Sequence, residues 1–138
     1  MSGSDIFGIV GSALDAQNAR MGAIASNLAN VDSITPPGAT PYHAHEVVFE
    51  AAPVTGAASD MGVQVAGPVQ SNAPAVQKYD PGSPYANAQG YVTGSNVSQV
   101  SEMVDLIDSS NSYAASVAVL QQASRIDQQM LASFQVSA

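Results

Sequence analysis

Apolar residues recur at heptad spacing near both ends of the chain and alternate with polar residues between them. Phe7, Val10, Leu14, Gln17, Met21, Ile24, Leu28 and Val31 follow one another at steps of three and four. All but Gln17 are apolar, which describes a coiled-coil seam with one polar interruption. The spacing predicts a helix over 4–31, capped by Ser4 with Asp5 in its first turn. Gly8, Gly11 and Gly22 lie inside the pattern. Each costs about 1 kcal/mol relative to Ala, so the helix is marginal alone. They also let a neighbouring helix approach closely, and the segment reads as a helix that forms fully against a partner. Pro36-Pro37-Gly38 forbids its continuation.

The last third, from Asn96 to about Phe134, contains neither Gly nor Pro. It predicts one helix of about 38 residues and about 57 Å. Asn96 is the expected N-cap, with Gln99 three residues on as in a capping box. The seam begins Val97, Val100, Val104, Ile107, Asn111, Ala114 and then slips through Val117 and Leu120 to Ala123, Ile126, Met130 and Phe134. The slip resembles a stammer. Asn111 is a polar seam residue of the kind that sets register in coiled coils. The clean half, Val97 to Ala114, is expected to be the better-defined packing surface. The half from Ala123 to Phe134 is expected to meet neighbouring subunits.

Residues 34–95 hold all eight prolines and most of the glycines. Short β-type runs stand out at Tyr42–Glu50, Gly62–Val69, Ala75–Tyr79 and Tyr91–Thr93. Alternation puts His43, His45, Val47 and Phe49 on one strand face. Asp80-Pro81-Gly82-Ser83-Pro84 is a rigid turn, and Ala51 to Met61 is expected to be partly disordered. The fold class is mainly α with a small β-rich insert. The N-terminal helix (1–33) and the long C-terminal helix (96–138) form a coiled-coil layer around the irregular and β segment (34–95).

Composition narrows the function more than the fold. Eleven acids stand against Arg20, Lys78 and Arg125, for a net charge of −8 over 138 residues. No basic patch exists to displace counterions, which argues against a nucleic-acid partner. The absence of Cys removes disulfides and thiolate chemistry. Ile6 to Leu14 is apolar but interrupted by Gly8, Gly11 and Ser12 and has no basic flank. Neither a cleaved signal peptide nor a membrane span is expected. His43 and His45 are the only histidines, and a metal site needs at least a third ligand, so no metal is assigned. Glu102 and Asp105 share a helix surface without a cleft to tune them, and no nucleophile elbow occurs. The chain reads as a non-enzymatic assembly module with no cofactor.

Particular strings then matter. Met21-Gly22-Ala23-Ile24-Ala25-Ser26-Asn27-Leu28-Ala29-Asn30-Val31 resembles the signature near the N-terminus of bacterial flagellar rod and hook proteins. Tyr79-Asp80-Pro81-Gly82-Ser83-Pro84-Tyr85 through Tyr91-Val92, and Glu102-Met103-Val104-Asp105-Leu106-Ile107 followed by Ser112-Tyr113, are similar to later blocks of the proximal members of that family. Four places depart from it. The family usually has His at Ser83, Tyr-Pro at Gly94-Ser95, Arg at Asn111, and a basic residue at His43 or Ala44.

The resemblance implies a structural subunit of the periplasmic basal-body rod, the shaft that transmits torque for motility. It implies export through the flagellar type III channel without a cleaved signal. The implied partners are copies of itself, the other proximal and distal rod proteins, and the export-gate adaptor at the rod base. The expected assembly interface is Leu14, Met21, Ile24, Asn27, Leu28, Asn30 and Val31 with Val100, Val104, Ile107, Asn111 and Val117. Within it Leu14, Met21, Ile24 and Leu28 face Val100, Val104, Ile107 and Val117, and Asn27 and Asn30 bond backbone at the helix end. The alternatives are a secreted adhesin-like binding protein using the same export route and a small hydrolase or metal enzyme built on His43 and His45.

Overall fold

A computed structural model describes residues 3–54 and 60–136. The elements are α1 (Gly3–Ala29), β1 (Ile34–Thr35), β2 (His45–Pro53), β3 (Met61–Gln70), β4 (Gln77–Tyr79), β5 (Tyr91–Gly94) and α2 (Gln99–Val136). The four predicted strand runs correspond to β2 to β5, and β1 is a two-residue strand that periodicity is too short to reveal. Of the stretch Ala51 to Met61 expected to be partly disordered, 55–59 lie outside the described residues, while Ala51 to Pro53 and Met61 are strand.

Helix α1 is central. It packs on α2 along one side and on the hairpin β2–β3 along another. The two helices run antiparallel: Asn27 meets Glu102, Arg20 meets Asp105 and Asp108, and Ile6 lies beside Val119, Ala123 and Ile126. The insert returns the chain to the C-terminal end of α1, where β1, β5 and β4 form a small antiparallel sheet. Within that sheet Val92 is almost wholly buried. At the adjoining corner, buried Ser95 donates to the Val31 carbonyl at 2.9 Å and joins the exit of α1 to the approach to α2.

The hairpin keeps its alternation from His45 to Glu50: His45, Val47 and Phe49 are half-buried while Glu46, Val48 and Glu50 are exposed. Its register breaks between Val47 and Phe49, opposite Gly67, whose φ of +117° only glycine adopts readily. His43 lies before the strand and turns instead to the Ser71 carbonyl, 2.9 Å away.

Two local expectations are corrected and a third is sharpened. First, the glycines of α1 do not bring a helix closer. A side chain at Gly8 would strike Val54 of the hairpin, while Gly11 and Gly22 face open space. Second, α2 starts at Gln99 and not at Asn96. Ser98 takes the cap, with its Oγ 3.5 Å from the Ser101 amide and its carbonyl accepting from the Glu102 amide at 3.0 Å. Asn96 is drawn off because its Oδ1 accepts from the Ala44 amide at 2.6 Å and its Nδ2 donates to the Ala73 carbonyl at 2.8 Å. Third, both asparagines at the end of α1 bond backbone, Asn30 that of its own helix, donating to the Ser26 carbonyl at 2.9 Å, and Asn27 that of His45 in β2.

The hairpin approaches α1 closely at Gly62. A Cβ there would collide with Val54 and with the Ser12 hydroxyl, which itself accepts from the Val63 amide at 3.1 Å. Gly62→Ala is therefore expected to destabilise the chain by about 1–3 kcal/mol, as overpacking does. Gly11→Ala, in a helix interior with open space around it, is expected to stabilise by about 0.5–1 kcal/mol. Urea denaturation of the two variants beside the parent chain measures both.

Candidate assembly surface

The contact between the two helices is polar and thin at one end and apolar at the other. Asn27 sits at the polar end and is 1% exposed. Its Oδ1 accepts from the His45 amide at 2.8 Å and from the Tyr42 hydroxyl at 3.1 Å. Its Nδ2 donates to the His45 carbonyl at 2.9 Å and to Glu102 Oε1 at 3.0 Å. All four bonding positions of the amide are used, and they tie α1, β2 and α2 together at one point. Tyr42 also packs edge-on against His45, with ring centroids 5.4 Å apart.

Glu102 is buried in the same place, beside a cleft lined by Arg20, Ile24, His45, Glu46, Phe49 and Asp105. Loss of hydration raises its pKa above the ordinary 4.5; the Asn27 hydrogen bond opposes this, and the charges of Asp105 and Glu46 reinforce it. Arg20 reaches Asp105 and Asp108, each at 3.2 Å. These pairs are largely exposed and fix register more than they stabilise. Further along the interface, Ser109 is 0% exposed and its hydroxyl has no protein partner, as is true of Gln17 Oε1. Such groups cost about 1–3 kcal/mol each when left unpaired. Val117, Leu120 and Ala123 then carry the contact toward the start of α1.

Residues of the α1 seam are covered: Val10 and Ile24 are buried, and Phe7, Leu14, Gln17, Met21, Leu28 and Val31 are half-buried. The clean half of the α2 seam is not. Val100 is 76%, Val104 61% and Ile107 62% exposed, and Asn111 and Ala114 are exposed with them. These residues lie opposite the face that carries Glu102 and Ser109, so they point away from α1. The expected facing of Leu14, Met21, Ile24 and Leu28 onto Val100, Val104 and Ile107 is thus corrected; of that set only Val117 is partly covered. Val97 to Ala114 is still the better packed half, as expected, but its packing is carried mainly by residues off the apolar seam. Val97, Glu102 and Ser109 are buried there, whereas no residue from Ala123 to Phe134 is.

The slip in the seam marks the crossing. Before it the apolar stripe of α2 faces outward, and after it Leu120 and Ala123 face α1. Met103 joins Val100, Val104 and Ile107 on the exposed side, giving a continuous apolar strip on a single helix. Arg20, Tyr42, Glu102 and Met103 were not singled out for these roles. The opposition of a lone base in one helix to acids in the other was the available signal for Arg20.

Among the described residues, no group of three or more His, Cys, Asp or Glu side chains could hold a metal, and no helix is long and apolar enough to cross a membrane. His43 Nδ1 and His45 Nδ1 are engaged by the Ser71 carbonyl and the Tyr42 hydroxyl.

The environment of Glu102 makes its replacement informative. A carboxyl whose pKa is raised on folding binds its proton more readily in the folded chain. Its ionisation therefore costs stability above the folded pKa, and that cost disappears as the pH falls through the folded value toward 4.5. Glu102→Gln keeps an acceptor for Asn27 and removes the charge. It is expected to be more stable than the parent at pH 7, with the difference shrinking on acidification across that window. Thermal denaturation of both chains between pH 7 and pH 4 reads the difference directly.

The family model for the C-terminal region of flagellar basal-body rod FlgEFG proteins matches residues 88–133, which span β5 and nearly all of α2. The flagellar basal-body rod protein FlgC of Escherichia coli O6:H1 is 50% identical over 116 residues, covering 84% of this chain and 86% of its own. FlgC of Salmonella typhimurium is 48% identical over the same shares of the two chains. FlgC of Bacillus subtilis is 34% identical over 124 residues, covering 79% of this chain and 83% of its own. Similarity of this extent covers the helices and the insert alike, and the chain belongs to the FlgC family of flagellar basal-body rod proteins.

Proposed function

We infer that this chain is a structural subunit of the flagellar basal-body rod, assembling with other rod components and with copies of itself. One observation in the chain carries the assembly surface: the outward strip of Val100, Met103, Val104 and Ile107 on α2. A contiguous apolar strip on a helix is a binding surface in search of a cover. In a rod subunit the natural cover is a neighbouring helix, and heptad spacing suits a coiled-coil contact. The role is structural rather than catalytic, in keeping with the rod-protein names of its relatives.

Finer features extend the same reading. The terminal segments 1–33 and 96–138 supply a coiled-coil layer inside the rod, and 34–95 decorates it. Leu14, Met21, Ile24, Asn27, Leu28, Asn30, Val31 and Val117 hold the hairpin of helices in shape, while Val100, Val104, Ile107 and Asn111 present it to neighbours. Those neighbours are the other proximal rod proteins, the distal rod proteins and the export-gate adaptor at the rod base. The subunit reaches the periplasmic rod by flagellar export without a cleaved signal, and the assembled layer transmits torque. Non-closing contacts between subunits allow such a shaft to grow.

Val104→Asp separates assembly from folding. Its side chain is exposed in the single chain, so stability is expected to change by no more than about 0.5 kcal/mol. Incorporation into basal bodies and swimming in soft agar are expected to be lost. Leu28→Asp, at a half-buried position, is expected to lose both stability and incorporation. Full motility of the Val104→Asp strain contradicts the reading.

A further inference from the structure

The hydrogen bonds around Asn27 determine where each proton along them sits. The His45 amide can only donate and the His45 carbonyl can only accept, so together they fix which end of the Asn27 amide is which. Oδ1 must then accept from the Tyr42 hydroxyl at 3.1 Å, which commits the single proton of that hydroxyl to Asn27. Tyr42 also lies 3.1 Å from His45 Nδ1. With its proton spent, Tyr42 can only accept there, so Nδ1 carries the hydrogen. The Ser26 hydroxyl, 3.1 Å away, fills the remaining lone pair of the same oxygen. The far side of the ring agrees. His45 Nε2 is faced at 3.5 Å by the amide nitrogen of Gln70, which is a donor, and a ring protonated on Nδ1 offers it a lone pair. The opposite tautomer would set two donors against each other at Gln70. It would also turn the Tyr42 proton to His45 and leave the oxygens of Tyr42 and Asn27 facing through lone pairs.

The result is a one-way chain of donors. It runs from Gln70 on β3 through His45, Tyr42 and Asn27 and ends on Glu102 Oε1 of α2, where the last bond is 3.0 Å. Every hydrogen in it points toward the carboxylate, so the bonds polarise one another in the same sense. The ring of His45 acts at the remote end: its tautomer decides whether Tyr42 gives its proton to Asn27. Resting on the reading of α2 as an assembly surface, we propose that Tyr42 and the Nδ1–H tautomer of His45 are positioning residues for that surface. They keep the Asn27 amide saturated and Glu102 turned inward, and Val100, Val104 and Ile107 stay turned outward as a consequence.

Long-range proton–nitrogen correlation spectra of the full chain, isotope-labelled on histidine, read the tautomer directly. They are recorded at pH 8, above the ordinary imidazole range. The two histidines of the chain give two ring patterns. His45 is expected to show a protonated Nδ1 and a bare Nε2. Tyr42→Phe removes the acceptor at Nδ1. It is expected to move His45 to the Nε2–H form, with the exposed Gln70 amide turning its oxygen to the ring. His43, whose Nδ1 faces Ser71 and Asn96 instead, is expected to keep its pattern. A bare Nδ1 on His45 in the parent chain, or a His45 pattern indifferent to Tyr42→Phe, overturns the proposal. Assembly is scored by competition, as the ratio of tagged variant to parent chain in isolated basal bodies against their ratio in the cell. Tyr42→Phe is expected to be depleted several-fold. Gly62→Ala, which weakens the chain away from Asn27, is the control for stability alone. Depletion of Tyr42→Phe no greater than that of Gly62→Ala overturns the positioning role. Absence of the parent chain from basal bodies removes the rod reading and leaves the tautomer standing.

Discussion

The side-chain amide of Asn27 is the point on which the arrangement of the chain depends. It is buried, fully hydrogen-bonded, and shared by the last turn of α1, the start of β2 and the first turn of α2. Hydrophobic contact can hold a helix against a neighbour at many rotations. Four directed bonds hold it at one. By taking Glu102 as a partner, Asn27 turns the polar side of α2 inward. The apolar side of the same helix segment, Val100 to Ile107, is left facing out as a consequence. The rotation of α2 is therefore set by a polar contact, at some expense to the stability of the isolated subunit.

That expense is visible along the helix interface. Glu102 is buried with two carboxylates near it, and Ser109 and Gln17 bury polar atoms without a protein partner. Large apolar side chains that a monomer would place in its core are spent on the exterior. A chain selected to be stable alone would reverse these choices, whereas a chain whose stable form is an assembly need not. The small sheet β1-β5-β4 and the hairpin β2–β3 hold the two ends of the system in register. Ser95 ties the approach to α2 to Val31, just past α1, and Asn96 ties it to Ala44 and Ala73 of the insert.

Much of this was legible in the sequence. Freedom from Gly and Pro outlined α2, and short β-type runs marked the four longer strands, with alternation in β2 and β3. The heptad steps of α1 identified a face that is indeed covered. Periodicity also found the apolar stripe of α2, including its slip, but it could not say what covers it. An apolar stripe is the same pattern whether it meets a partner within the chain or outside it. The decisive information lay in polar residues, whose burial depends on partners distant in sequence: Asn27 on His45 and Glu102, and Asn96 on Ala44 and Ala73. The capping role moved from Asn96 to Ser98 for that reason. The contact of Gly8 with the hairpin, in place of a helix, was hidden in the same way.

Solvent accessibility at position 107 bears most directly on whether the outward face of α2 is the surface through which the subunit assembles. With Ile107→Cys as the only thiol in the chain, a maleimide probe is applied to the free subunit and to isolated basal bodies. Rapid labelling of the free chain and strong protection in the assembled rod is the predicted result. Equal labelling in both would place the strip on an exposed surface of the finished rod and would contradict its role in assembly.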